Sequence, residues 1–280
     1  MTRNPRNPRI NMNTTPRTTH RQLLLTAGLV TGILAPLGQA ASIAYNFSET
    51  DTNNSQELDT TTPKGPLGTS VWNDSYVRDS GTVATGSDSG LVDDSGAATT
   101  ASIAWSSKET WFGDGGTTTQ DERIVLGYLD DGDDGLGNPG LFMTISNIPY
   151  ASYNVYGIVG SDSGDSTTYT VQDFLVNGTT WVFGGSSPVT ATAFANMAAS
   201  SANGSWTEII AGGQTGNYWK LEGLSGSTLT IDGQTSDAGA RGSLAGVIIE
   251  QVPEPSSAAL LLGTTVLLVG RRRRTPPAGR

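Results

Sequence analysis

The stretch LDDGDDGLGNPG, residues 129–140, puts Asp130, Asp131, Asp133 and Asp134 within five positions. Carboxylates that close repel one another unless water solvates them or a cation bridges them, and hard oxygen ligands suit Ca2+. The spacing is not that of an EF-hand, whose loop ends in a glutamate. An exposed acidic turn therefore competes with a calcium site and is the favoured reading. A second acidic stretch, GSDSGDS, carries Asp162 and Asp165. The other side chains equipped to hold a ligand are six tryptophans, at positions 72, 105, 111, 181, 206 and 219. An indole stacks on the apolar face of a sugar ring while polar loops supply hydrogen bonds. Core packing is the competing use, and it should claim inward strand positions such as Trp105 and Trp181. Trp111 and Phe112 stand in the Gly-rich KETWFGDGG and Trp72 stands in VWND, which makes these three the candidate stacking platform.

Several chemistries are excluded by residue type. The chain has no cysteine, and its one histidine, His20, lies in the leader described below. Without them, Ser-His-Asp and Cys-His nucleophile systems cannot be built, nor zinc sites of His and Cys. Two carboxylates in unlike environments would suffice for a glycosidase. Glu208, Glu222 and Glu250 stand on strand-like stretches beside aromatics, but most acids lie in Gly/Ser/Asp loops where a solvated carboxylate is the ordinary state. A noncatalytic protein is expected, with a carboxylate-dependent glycoside-active enzyme and a purely structural surface protein as the alternatives. Residues 41–250 hold six basic and 25 acidic residues, a formal charge of −19. Such a body repels nucleic acid and anionic surfaces.

The elements that must position these groups read as strands. Period-two alternation puts Ile103 with Trp105 in ASIAWSS, Leu141 with Met143 and Ile145 in LFMTISNIP, and Tyr153 with Val155 and Val159 in SYNVYGIVG. It also predicts a strand over RIVLGYL, with Ile124, Leu126 and Tyr128 on one face. TVQDFLVNGTTWVF predicts a hairpin, because Asn177-Gly178 accepts the positive φ angles of a type I′ turn. WTEII, YWKLE, STLTID and LAGVIIE follow as further strands, and TATAFANMAASSA (190–202) as one short helix. Residues 50–70 and 86–99 read as long surface loops. About a dozen short strands with Gly/Asp/Asn turns predict an all-β fold, an antiparallel β-sandwich of jelly-roll type. The five Asn-x-Ser/Thr sites of residues 41–250, at Asn46, Asn53, Asn73, Asn177 and Asn203, fit a surface domain that tolerates glycans.

The two ends carry addresses. Residues 1–40 have a basic start, the apolar run LLLTAGLVTGILAPLG and a small-residue exit, which describes a secretory signal peptide cut between Ala40 and Ala41. At the other end stands VPEPSSAALLLGTTVLLVGRRRR, residues 252–274. Its apolar segment, Ser256 to Gly270, is about 22 Å long as a helix, and the arginines should stay cytoplasmic. The Pro-Glu-Pro step, the apolar helix and the arginine cluster, in that order, resemble a PEP-CTERM sorting signal of Gram-negative bacteria. The resemblance covers about the last 25 residues. It implies recognition by an exosortase-type membrane enzyme through Pro253, Glu254 and Pro255. It also implies retention by Arg271, Arg272, Arg273 and Arg274, in a host that often makes exopolysaccharide. The segment from Val125 to Asp162 resembles uncharacterised β-sandwich domains of other such proteins, some lectin-like and of the galactose-binding type.

The expected organisation is a signal peptide (1–40), a β-sandwich body (41–250), a sorting signal with a transmembrane helix (251–274) and a cytoplasmic tail (275–280). The expected partners are the export machinery, the sorting enzyme, the membrane through the C-terminal helix and an extracellular polysaccharide, but no nucleic acid. No cofactor is demanded, and Ca2+ at the acidic turn is the single candidate.

Overall fold

Which side chains of a strand face the core decides how the sheets pack, and two strands show this most clearly. β4 (Ser102–Ser107) buries Ile103, Trp105 and Ser107, and β7 (Leu141–Ser146) buries Leu141, Met143 and Ile145, while the residues between them face outward. The computed structural model describes residues 40–47, 58–75, 83–112, 119–130, 140–160, 168–171, 173–185, 189–192, 206–210, 216–233 and 243–253. The chain divides into two units, Met1–Gly38 and Gln39–Arg280, and all described residues lie in the second. The signal segment and residues 254–280 lie outside them. Among the described residues no helix is long and apolar enough to cross a membrane.

The described residues are mostly β-sheet. The six-stranded sheet adds β3 (Ala84–Ser89), β10 (Phe174–Val176), β11 (Thr180–Trp181) and β14 (Thr228–Gly233), in the order β11-β10-β14-β7-β4-β3. A five-stranded sheet runs β13-β8-β15-β1-β2. Its members are β1 (Ser42–Asn46), β2 (Asn73–Asp74), β8 (Ser152–Ile158), β13 (Tyr218–Ser225) and β15 (Gly246–Gln251). Two-stranded pairs join β5 (Glu109–Phe112) to β6 (Gly127–Asp130), and β9 (Thr168–Val171) to β12 (Val189–Thr192). Among the described strands every pairing is antiparallel except the short β1–β2 contact.

The two large sheets contribute to one buried apolar cluster. Tyr45, Tyr153, Val155, Trp219 and Ile249 come from the five-stranded sheet; Ile103, Trp105, Met143, Phe174 and Ile231 come from the six-stranded one. Trp219 lies 5.4 Å from Phe174 between ring centroids, so aromatics of the two sheets meet directly. A second cluster covers the other face of the five-stranded sheet, where Ala44, Tyr156, Ile158 and Ile248 pack against Trp72, Ile124, Val125 and Tyr128. β1 is buried along its whole length and β15 through Ile249, so neither shows the alternation of a strand with one exposed face.

The structure departs from expectation in five places. RIVLGYL is not one strand: Gln120–Leu126 form helix α1, and only the chain from Gly127 is extended. The helix starts with a capping box in which the Thr119 hydroxyl accepts from Glu122 N while the Glu122 carboxylate accepts from Thr119 N. Ile124 and Val125 are both buried because the helix sits on the sheet. Within the predicted loop 50–70, Lys64 is buried and donates from Nζ to the carbonyls of Asp59 (2.6 Å) and Ser70 (2.7 Å). Residues 86–89 of the second predicted loop belong to edge strand β3, paired with β4. The helix expected over 190–202 gives way to strand β12 through Thr192, and 193–202 lie outside the described residues. WTEII is no strand either; it makes one bridge, Glu208 to Tyr218.

Candidate functional site

The ends of one strand set the polarity of the body. β15 lies beside β1, and Gln251 N donates to Ala41 O at 2.8 Å, so the chain enters and leaves the body at the same end. Val252 N donates to Ser152 O at 2.9 Å, so pairing persists to the residue before Pro253. The opposite end of β15 is preceded by Leu244, which exchanges two backbone bonds of 3.0 Å with Leu129 of β6. Six residues of strand separate these ends, about 17 Å by the rise of a β-strand.

The β5–β6 pair is fixed at that far end. Trp111 pairs with Tyr128 across it; Tyr128 is buried whereas Trp111 is 39% exposed. Phe112 pairs with Gly127 through its backbone. Asp130 pairs with Glu109, is buried, and its carbonyl accepts from the Ser107 hydroxyl at 2.6 Å. Asp131, Asp133 and Asp134 lie outside the described residues, as do Asp162 and Asp165, and no group of three or more metal-ligating side chains occurs among the described ones. The third member of the predicted platform is corrected. Trp72 is only 8% exposed, packs in the layer over the five-stranded sheet and donates Nε1–H to Thr69 O at 2.9 Å. A ring enclosed in this way cannot stack on a ligand.

Two of the candidate carboxylates, Glu222 and Glu250, gather beside β8: Lys220, the ion partner of Glu222, lies 5.4 Å over the ring of Tyr156, whose hydroxyl Glu250 accepts. Glu222 is exposed and paired with Lys220 at 2.5 Å. Glu208 lies beside Tyr218. Glu250 accepts from the Tyr156 hydroxyl (2.6 Å) and from Asn154 Nδ2 (3.1 Å). Burial, and then that bond to the Glu250 carboxylate, push the Tyr156 phenol up to about 12. Glu250 also lines a cleft of about 340 Å3 at the entry-and-exit end with Ala40, Ser42, Thr69, Ser70 and Asp94. Asp94 is held there as an acceptor, its Oδ1 taking Ser42 N at 3.2 Å. Two predicted glycan acceptors are committed as well. Asn46 Nδ2 donates to the carbonyls of Ile124 (2.7 Å) and Ala245 (2.9 Å), and Asn73 Nδ2 donates to those of Ala44 and Val92.

Sequence reasoning missed the outer face of the six-stranded sheet. Trp181, expected in the core, is 40% exposed, and Phe142 is 42% exposed. Direct cross-strand partners run Trp181–Leu175–Asp232–Phe142–Ser106–Thr85 through all six strands, so these residues share one face. The next outward row is Thr230–Thr144–Ala104–Ser87, and the one after it Thr228–Ser146–Ser102–Ser89. Asn177 (φ 52°) and Gly178 (φ 67°) take the positive angles of the predicted turn, and Thr179 N donates to Val176 O at 3.2 Å. This turn fixes Trp181 opposite Leu175, and hence outward.

No family model matches the chain, and no curated protein matches it. Among solved structures it is similar to the X-ray crystal structure of protein YXIM_BACsu from Bacillus subtilis. The TM-score is 0.32 and the identity 8%, over 75% of this chain and 40% of that one.

Proposed function

We propose that the chain is an exported, exosortase-sorted envelope or matrix protein whose body holds carbohydrate without transforming it. The leader ending at Ala40–Ala41 directs export. The Pro253-Glu254-Pro255 step addresses the sorting enzyme, and the helix with Arg271 to Arg274 holds the tail in the membrane. In this reading the body is a lectin-like sandwich of jelly-roll type. Successive strands that change sheets support that topology: β7 and β14 belong to the six-stranded sheet, while β8 and β15, which follow them in turn, belong to the other. The observation that carries the functional reading is the polarity of the body. Entry and exit share one end, and the exposed ring of Trp111 stands at the other, the arrangement of a module tethered at its base and presenting its far end. The commitment of Glu222 to Lys220, and of Glu250 to Tyr156 and Asn154, supports binding rather than hydrolysis.

The test is a C-terminal fusion to a reporter active only in the periplasm, together with N-terminal sequencing of the exported body. The reading expects a silent reporter and a mature chain beginning at Ala41. Changes at Pro253 or Glu254 should block sorting without unfolding the body, and serine at the four arginines should weaken retention. An active C-terminal reporter would sink the topology.

A further inference from the structure

We infer that the outer face of the six-stranded sheet is a binding track for a neutral polysaccharide laid across the strands, with Trp181 and Phe142 as its stacking rings. The inference deepens the reading of the body as a carbohydrate holder by naming a site and a ligand class, and it rests on that reading. Three inter-strand steps separate the two rings, about 14 Å at the usual strand spacing. Asp232 stands between them in the same row. A sugar ring presents an apolar C–H face to an aromatic and a rim of hydroxyls to polar neighbours. This face offers both in the matching order: two exposed rings in one row, then rows of threonine and serine hydroxyls beside it. A shallow cavity of about 270 Å3 continues the track beyond Phe142, lined by Ser87, Ser89, Ser102, Thr144 and Ser146, with Asp88 at its side. That is small against the ~300–1,000 Å3 of sites that enclose a whole small ligand, and suits one residue of a longer chain.

Trp181 is held ready for such a contact. The Asp173 carboxylate accepts from the backbone N–H groups of Phe174 (2.8 Å), Phe183 (2.7 Å) and Gly185 (2.6 Å), which pins the turn that follows the indole. Gly185, at φ 73°, lies under the indole, where a Cβ would come within 3.0 Å of the ring. A ring ordered before binding loses less entropy on binding. Charge complementarity selects the ligand: the outward rows contain Asp232 and no lysine or arginine, on a body of formal charge −19, so a polyanion is repelled and a neutral chain is not. A protein partner fits poorly, because the core of such an interface is a continuous apolar patch poor in charge. Here the apolar residues form a single row broken by an aspartate and flanked by hydroxyls.

The test is affinity electrophoresis of the full chain in non-ionic detergent through gels containing a neutral β-glucan, mannan or xylan, with alginate as the anionic comparison. At least one neutral gel should retard the protein and alginate should not. Trp181→Ala and Phe142→Ala should each weaken retardation three- to tenfold and multiply when combined, with the melting temperature held. Trp181→Phe, which keeps a ring, should retain most of the binding even if an alanine variant folds poorly. Unchanged retardation of a folded double variant overturns the site. Loss through Trp111→Ala alone overturns it too but leaves the proposed function standing, whereas no retardation in any neutral gel overturns both. A fall in oligomeric mass on Trp181→Ala would make the face a contact between copies of this chain and also overturn the inference.

Discussion

Gly157 of β8 and Trp219 of the edge strand β13 are direct cross-strand partners in the five-stranded sheet, and Gly157→Ala tests the packing of the body. The indole lies across the glycine, so a Cβ built on Gly157 would land on Cε2 and Cζ2 of Trp219, far inside 3.0 Å. No far end of a flexible chain is there to yield. Trp219 is fully buried and stacks at 38° on Phe174 of the opposite sheet, so one methyl group displaces a contact between the two sheets. Overpacking of this kind costs about 1–3 kcal/mol, and an immobile indole puts this site near the upper figure. For a body of about 200 residues, ~3 kcal/mol lowers the melting temperature by roughly 6–12 °C. Thermal unfolding of the full chain in detergent, followed by near-ultraviolet circular dichroism, reads this directly. Trp219→Leu is itself costly, about 3 kcal/mol, because it opens a cavity. In that background, however, Gly157→Ala should add less than ~1 kcal/mol, since the obstructing ring is gone. Equal losses in both backgrounds would refute the argument, because strain unrelated to the indole would then be the cause.

Asn46→Ala leaves the buried carbonyls of Ile124 and Ala245 without the amide that joins them, and should cost about 2–4 kcal/mol in the same unfolding assay. The raised phenol of Tyr156 gives a pH signature. Its folded value of about 12 stands above the ordinary 10, so the folded state keeps its proton longer and stability is lost as pH climbs from 10 through 12. Alkaline melting curves should show a smaller loss for Tyr156→Phe. Gly178→Ala places a side chain at φ 67° in the turn before Trp181 and should lower stability by about 1 kcal/mol. Trp111→Ala, at an exposed position, should leave the melting curve unchanged.

The sequence revealed the strands whose two faces meet different surroundings. β4, β7 and β14 each bury one face, so alternation reports them directly. α1 was hidden because period-two counting matched Ile124, Leu126 and Tyr128, while the Thr119-x-x-Glu122 capping signature two residues ahead of Ile124 carried the true signal. Trp72 was misplaced because nothing local indicates that a second apolar layer covers the five-stranded sheet. Trp181 was misplaced by parity. Its orientation depends on the residue count through the Asn177-Gly178 turn, and a one-residue difference in register sends a side chain to the other face. The row from Trp181 to Thr85 was illegible for a deeper reason: it is assembled from six strands whose order does not follow the chain. The exposure of Trp111 was legible because Gly-rich neighbours advertise an exposed ring.

The central claim is that the body holds carbohydrate and leaves it intact. It is tested by incubating the full chain with neutral polysaccharides and measuring, in the same samples, the protein retained and the reducing ends released. The account predicts saturable retention of weak affinity, about micromolar to millimolar per site, with no reducing ends above those of the polysaccharide alone. Release of new reducing ends that stops on Glu250→Gln, or no retention on any neutral polysaccharide, would contradict it.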